Sequence, residues 1–356
     1  MLAYVWILLS PLLLLTKQSN RIFSYIIVIN GFLLCTTYYN GSDWRGYERI
    51  FLDNTIVEYW EPGFNIIFNL ARHLSNDFVV TLIAFKVFIY VATIFIIFKL
   101  LGVNQKKVYI LFMVTTGIGL FIDNPLRQFA ALPIFMISYI AFCKDNKYWI
   151  ALVFLGSFIH FSTIFLLFFV ILRNRSTLFV CTIIMISAII IIQKPDLVLN
   201  LLLLVSPFEF LKNLDSYLRW YLTELEFRLG LSSYLYSLLL ALYIFLADFK
   251  KVLDRKFAAV GSLFFVVGIL GSTIEELARL NYFFWFPMAI SIAPILFDRF
   301  VHSIFYLFAV VLNLNIILTD YRYLPYTNYV FQYPFTGPIP YWVRSKIHHD
   351  YHKYTK

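Results

Sequence analysis

Apolar positions in this chain are not scattered; they come in long runs separated by short polar connections. The runs lie at 2–15, 22–38, 78–98, 108–122, 128–143, 149–172, 176–193, 232–247, 257–272, 282–297 and 302–319. Most are long enough to cross, or nearly cross, a hydrocarbon core of about 30 Å as a helix. A chain in lipid must satisfy its backbone hydrogen bonds within itself, so such runs predict helices. The fold class expected is therefore all-α: a polytopic integral membrane protein of about 10–12 transmembrane or re-entrant helices, with interfacial helices on its outer side. No soluble domain is left over, and residues 1–356 read as a single membrane domain. The first run, Leu2 to Leu15, lacks a basic flank and a small-residue cleavage site, which predicts a retained helix.

Orientation follows from Lys and Arg in the short connections. With Lys17 and Arg21 on the cytoplasmic side, Lys99, Lys106, Lys107, Lys144 and Lys147 fall on that side as well. The run 149–172 then decides the threading. If it crosses once, the cluster Lys250, Lys251, Arg255 and Lys256 lands outside. If it bends back on itself around His160, the internal connections hold 14 Lys or Arg against 4 acidic residues, and the external ones before residue 340 hold 10 against 15. The bias favours a hairpin, and irregular backbone at membrane depth requires a protein-lined or water-filled cavity around it. The external parts are then the loops 39–77, 194–231 and 273–281 and the tail 320–356. Within them, "GFNIIFNLARHL" after Glu61 and the Leu-rich stretch 194–231 have the amphipathic spacing of interfacial helices. Such helices either serve a site or merely float at the interface.

Composition supports the class and narrows the chemistry. Charged residues are 14% against about 25% in an ordinary soluble protein, and mean hydropathy is +0.78. The net charge of +9 comes from the cytoplasmic bias and a basic tail, so no nucleic-acid partner is implied. Cys35, Cys143 and Cys181 lie in or at the ends of apolar runs with no metal-ligand spacing, and read as small core residues. There is neither a paired-Asp motif for a metal-held nucleotide nor a Gly-rich phosphate loop, so no metal and no cofactor is expected.

Candidate chemistry collects in the external connections. The segment "YYNGSDWRGYERIF" and its continuation place Asp43, Glu48, Asp53, Glu58 and Glu61 between two apolar runs, together with Arg45 and Arg49. In "DNPLRQFAALP", Asn124 and Pro125 read as N-cap and first residue of a helix carrying Arg127 and Gln128 in its first turn. Free N–H groups and an Arg at one helix start suit a phosphate, although Arg127 could instead pair with Asp123 or snorkel. Arg279 sits at a second such helix end, where it could pair with Glu275 or Glu276 or join Arg127 on a diphosphate. His160 stands among Ser157, Ser162 and Thr163, as a core residue or as a site group. Lys86 lies inside an apolar run and either snorkels or meets a carboxylate. Transfer of a sugar from a phosphate leaving group to a hydroxyl needs a base near that hydroxyl and positive charge on the phosphate. Asp43, Glu61 and His160 can supply the base; Arg127 and Arg279 can supply the charge. The external aromatic residues suit either sugar stacking or an interfacial belt.

In chain order, "GSDWRGYERIF", "EPGFNIIF", "NPLRQFAALPIFMISYIAF", "WIALVFLGSFIHFSTIFLL" and "ARLNYFFWFP" resemble the EpsG-type polysaccharide polymerases, relatives of the Wzy O-antigen and capsule polymerases. The shared skeleton is Gly41, Asp43 and Tyr47, then Glu61-Pro62, Arg127-Gln128, Phe158, His160 and Phe161, and finally Arg279 with Tyr282. It covers residues 36 to 290. The resemblance implies a metal-independent glycosyltransferase of the bacterial inner membrane with its site facing outward. Its partners would be a lipid-linked oligosaccharide donor and acceptor carried on undecaprenyl diphosphate, membrane lipids and a chain-length regulator. Arg127, Arg279 and Gln128 would hold the diphosphate. Asp43 would be the first choice of base with Glu61 and His160 as alternates, and Arg45, Tyr47 and Tyr282 would contact sugar or loop. "CTTYYN" lacks the Arg that family members often carry before the Gly-x-Asp, leaving Arg45 or Arg49 as its substitute. The rival class is a flippase for the same lipid-linked units, which would be expected to show paired repeats and charges near the midplane. A ligase or acyltransferase would differ only in the acceptor.

Overall fold

A computed structural model describes residues 2–15, 20–38, 43–53, 60–73, 75–102, 104–193, 231–271, 275–296, 300–319 and Asn328. Every regular element among them is helical, and the chain is an all-α polytopic membrane protein. Each of the eleven apolar runs is largely helical over its described residues, and the run 149–172 is broken at His160. Among the described residues, four elements are long and apolar enough to cross a membrane unaided: Phe78–Leu100, Gln105–Asp123, Leu126–Cys143 and Leu231–Phe249. The expected interfacial helices of 194–230 and the tail beyond residue 319, apart from Asn328, lie outside the described residues.

The chain forms two compact units, residues 1–171 with 292–356, and residues 172–291. In the first, α1 (Leu2–Leu9) tightens into a 3₁₀ turn at Ser10–Leu15, where Pro11 ends the α-helical ladder. Then come α2 (Asn20–Cys35), α3 (Trp44–Asp53), α4 (Pro62–Arg72), α5 (Phe78–Phe95, extended by a π turn to Leu100), and α6 (Gln105–Phe112), which runs through a π turn into α7 (Ile118–Asp123). After α8 (Leu126–Cys143) and α9 (Trp149–Ile159) follow a 3₁₀ segment, Phe161–Phe168, and the short α10 (Phe169–Leu172). The second unit holds α11 (Thr177–Gln193), α12 (Leu231–Ile244), α13 (Arg255–Gly271) and α14 (Glu275–Ile292); α15 (Phe300–Thr319) returns to the first.

Several polar side chains buried among the helices of the first unit are tied to one another, as a low-dielectric interior favours. Ser10 Oγ donates to Asn30 Oδ1 (3.2 Å), Asn30 Nδ2 to the Tyr109 hydroxyl (3.2 Å), and the Tyr109 and Tyr90 hydroxyls meet at 3.0 Å. Gly31 is required beside that ring: a Cβ there would lie 2.5 Å from Tyr90 Cε1. Lys86 does not snorkel. It is fully buried and its Nζ donates to the carbonyl (2.8 Å) and hydroxyl (2.9 Å) of Thr37, at the C-terminal end of α2, where a cation is favoured.

In the second unit, Asp248 closes the N-terminus of α11, accepting from Ser176 Oγ (2.9 Å) and from the N–H groups of Thr177 (3.2 Å) and Leu178 (2.8 Å). Tyr243 bridges α12 to the Ala258 carbonyl (3.0 Å) and the Ser291 hydroxyl (2.6 Å). Cys35 and Cys181 are buried among the helices and Cys143 is half-buried.

Two expectations need correction. The opening connection is not a plain loop, because Trp44, Tyr47, Glu48 and Phe51 recur at helical spacing and are the buried face of α3. Asn124 does not cap α8; it ends α7 in the left-handed conformation (φ 58°) and its side chain donates back to the Ile122 carbonyl (2.8 Å). Pro125 holds the N-cap position, so α8 starts where predicted but without a side-chain cap.

Candidate active site

The chain does turn back at His160. Its backbone is extended (φ −153°, ψ 121°), which ends α9, and the 3₁₀ segment then runs back along α9. Thr163 Oγ1 reaches the carbonyl of Val153, ten residues earlier, at 3.4 Å, a contact that a continuous helix cannot make. Small polar residues make the reversal possible. A Cβ at Gly156 would sit 3.0 Å from Thr163 Oγ1; the hydroxyls of Ser157 and Thr163 meet at 3.0 Å, and Thr163 Oγ1 also bonds the His160 carbonyl at 3.1 Å.

Opposite this break lies the start of α4. Pro62 occupies the first turn, where its missing N–H costs nothing, and Glu61 is the N-cap residue without a bond from its side chain to its own helix. Gly63 allows the approach: a Cβ there would lie 2.7 Å from the Phe158 carbonyl oxygen on α9. Glu61 is thereby delivered to the break. Its Oε1 meets His160 Nδ1 at 2.9 Å and accepts from the Phe161 N–H at 3.1 Å, while Oε2 accepts from Arg127 Nη1 at 3.2 Å. Arg127, in the first turn of α8, is also hydrogen-bonded by the Tyr47 side chain from α3. One carboxylate therefore joins the starts of α4 and α8 to the turn of the hairpin.

Burial pushes the Glu61 carboxyl up, but the hydrogen bond and charge of His160, the charge of Arg127 and its own backbone N–H outweigh that and bring it down to about 2. It is a fixed anion at any physiological pH. Neutral imidazole with Nδ1–H donated to Glu61 leaves a lone pair on Nε2, and Ser162 Oγ lies 3.2 Å from that nitrogen.

Among the residues singled out in the sequence, Glu61, His160, Arg127 and Tyr47 come together. Gln128 is buried one residue beyond Arg127. Asp43 is half-buried at the start of α3, its carbonyl accepting from the Tyr47 N–H at 3.4 Å, one turn before the tyrosine that reaches Arg127. Arg45 is half-buried on the same helix. Arg279 and Tyr282 are half-buried residues of α14 in the second unit. The pairing of Arg127 with Glu61, and not with Asp123, was not legible in advance. The usable signal was Glu-Pro-Gly, a carboxylate fixed at a helix start beside a residue that permits close approach. Among the described residues no group of three or more His, Cys, Asp or Glu is arranged as a metal site.

The EpsG family model matches residues 20–335. The chain belongs to the EpsG family. That match takes in Tyr47, Glu61, Arg127 and His160, and it agrees with the resemblance carried by the motifs. Membership points to a membrane polysaccharide polymerase-like function with glycosyltransferase-like chemistry. No curated protein and no solved structure matches this EpsG-family chain.

Proposed function

We propose that this EpsG-family protein is a glycosyltransferase that polymerises oligosaccharide units linked to undecaprenyl diphosphate, with His160 as the base on the acceptor hydroxyl. The observation that carries the assignment is the Glu61 carboxylate held 2.9 Å from His160 Nδ1 and 3.2 Å from Arg127 Nη1. A carboxyl held at about 2 is too weak a base to take a hydroxyl proton, but it orients an imidazole and stabilises the imidazolium that forms. His160 therefore ranks ahead of Glu61 as the base, with Glu61 as its positioning partner, and is preferred to Asp43 because a carboxylate orients it. Asp43, Arg45 and Tyr47 on α3 are assigned to the acceptor sugar.

In the step envisaged, the acceptor oxygen bonds to the anomeric carbon of the donor, the bond from that carbon to the diphosphate breaks, and its electron pair leaves with the diphosphate. Arg127 has guanidinium donors beyond the one given to Glu61, and its side chain is 29% exposed, so it can receive that charge. Arg279 and Tyr282, with Gln128, are retained as further contacts to the donor on the family motif, and metal independence is part of the same reading. The site is placed on the outer face of a bacterial inner membrane, in line with the charge bias of the connections.

The test uses purified protein in detergent with lipid-diphosphate-linked repeat units and EDTA, resolved as a product ladder on a gel. A ladder from the unaltered protein, lost in His160→Gln and in Arg127→Ala, is expected. No ladder with cognate units, but movement of those units across a liposome bilayer, would replace the polymerase by a flippase.

A further inference from the structure

We propose that Ser162 is a proton relay between the acceptor hydroxyl and His160. The proposal rests on the assignment of His160 as base. Glu61 occupies Nδ1, so Nε2 is the ring nitrogen left to receive a proton, and Ser162 Oγ already stands 3.2 Å from it. The imidazole is only 7% exposed, whereas Ser162 is half-buried, so the serine hydroxyl is the more accessible of the two groups.

The backbone around Ser162 is pinned on both sides. The Phe161 N–H is held by Glu61 at 3.1 Å, and the Thr163 N–H and hydroxyl both bond the His160 carbonyl at 3.1 Å. The extended conformation of His160 followed by a 3₁₀ turn brings two side chains only two residues apart into contact, which a regular helix does not do. An eight-residue 3₁₀ segment is itself uncommon, and its first turn is where this serine sits. Structural reversal alone already has Gly156, Ser157 and Thr163 to serve it. Ser162 is not needed for that, and its hydroxyl is the one directed to the base.

The step balances without any further reagent. The acceptor proton passes to Ser162 Oγ as the serine's own proton passes to Nε2. The acceptor oxygen bonds to the anomeric carbon, and the diphosphate leaves with the electron pair of the broken bond. Ser162 ends as it began, and the imidazolium lies against Glu61.

The experiment compares the unaltered protein, Ser162→Ala, Ser162→Thr and His160→Gln in the purified polymerisation assay, in water and in water–deuterium oxide mixtures. Ser162→Ala should lower kcat by about 10²-fold, the low end of what a positioned proton transfer contributes, with the KM for acceptor changed less than about twofold. Ser162→Thr, which keeps the hydroxyl, should recover most of the rate. The dependence on deuterium fraction should curve in the unaltered protein, because two protons move, and become linear in Ser162→Ala. A Ser162→Ala rate within about threefold of normal, a threonine variant as slow as the alanine one, or a linear dependence in the unaltered protein overturns the relay. Loss of activity in His160→Gln with normal Ser162→Ala removes the relay alone; an active His160→Gln removes the base and the relay with it.

Discussion

Glu61→Gln changes one atom's charge and hydrogens while keeping the shape of the side chain, so it tests the carboxylate and not the packing. In the protein, Oε1 serves His160 Nδ1 and the Phe161 N–H, and Oε2 serves Arg127. If the amide keeps its oxygen on the His160 side, its NH₂ faces the Arg127 guanidinium, donor against donor. If it flips, the NH₂ meets the Phe161 N–H and forces His160 into the other tautomer, with a proton on Nε2 where the base should accept one. Either way at least one charge-assisted hydrogen bond is lost, about 1.5–3 kcal/mol, or roughly 10- to 150-fold. The imidazolium also loses its counter-ion, and a carboxylate-to-amide change beside a catalytic histidine costs about 10⁴ in the serine-protease triad. The expected fall in kcat is therefore about 10² to 10⁴. Single-turnover polymerisation of purified protein measures it, with thermal unfolding to verify that the variant is folded. A Glu61→Gln protein that elongates within about threefold of the normal rate would refute the orientation of His160 by Glu61.

Further outcomes follow from the same geometry. Arg127→Lys keeps the charge but cannot hold Glu61 and Tyr47 while offering a planar pair of donors, so extension should fall by at least about tenfold with protein level unchanged; a normal ladder would sink the role of the guanidinium. Gly63→Ala places a Cβ 2.7 Å from a backbone carbonyl that cannot swing away, and should cost about 1–3 kcal/mol in unfolding free energy together with activity; unchanged stability would show that the approach of α4 to α9 is not tight. The Glu61 carboxyl is brought down from 4.5 to about 2, so its stabilisation is complete above pH 4.5 and is lost as pH falls toward 2. The difference in stability between the unaltered protein and Glu61→Gln, followed by denaturant unfolding, should be flat from pH 5 to 8 and shrink below pH 4.5; a difference that changes most between pH 6 and 8 would contradict this.

The fold was readable because lipid imposes one rule on every segment: an apolar run has to be a helix. The same rule, applied to charge, exposed the hairpin at His160 before any coordinates, since a single crossing would have carried Lys250 and Lys251 to the wrong side. Amphipathic α3 was missed because four charged residues are interleaved with its apolar ones over only ten positions, and only the spacing of Trp44, Tyr47, Glu48 and Phe51 betrays the buried face. Lys86 was ambiguous for a different reason. Its partner is a backbone carbonyl at the end of α2, and a helix end announces no residue type to look for. The meeting of Glu61 with His160 spans 99 residues and depends on two close approaches, at Gly63 and Gly156. Nothing local in the sequence ranks one carboxylate over another for such a contact.

That dependence has a consequence for how the site can be altered. The Glu61 carboxylate is both the partner of the imidazole and the knot between α4, α8 and the hairpin turn, so the fold and the chemistry draw on the same three hydrogen bonds. A partly buried ion pair of this sort is weak evidence for net stability, because desolvation offsets much of its attraction; removing one member is what costs. Arg127 left without Glu61 would be a half-buried cation held by Tyr47 alone among its interactions described above, free to reorient toward an incoming diphosphate. Under the proposed function, Arg127 keeps Nη1 on Glu61 while its remaining guanidinium donors would receive the diphosphate. Donor binding would then leave Oε2 on Arg127 and Oε1 on His160, so that the base remains oriented when the leaving group is in place.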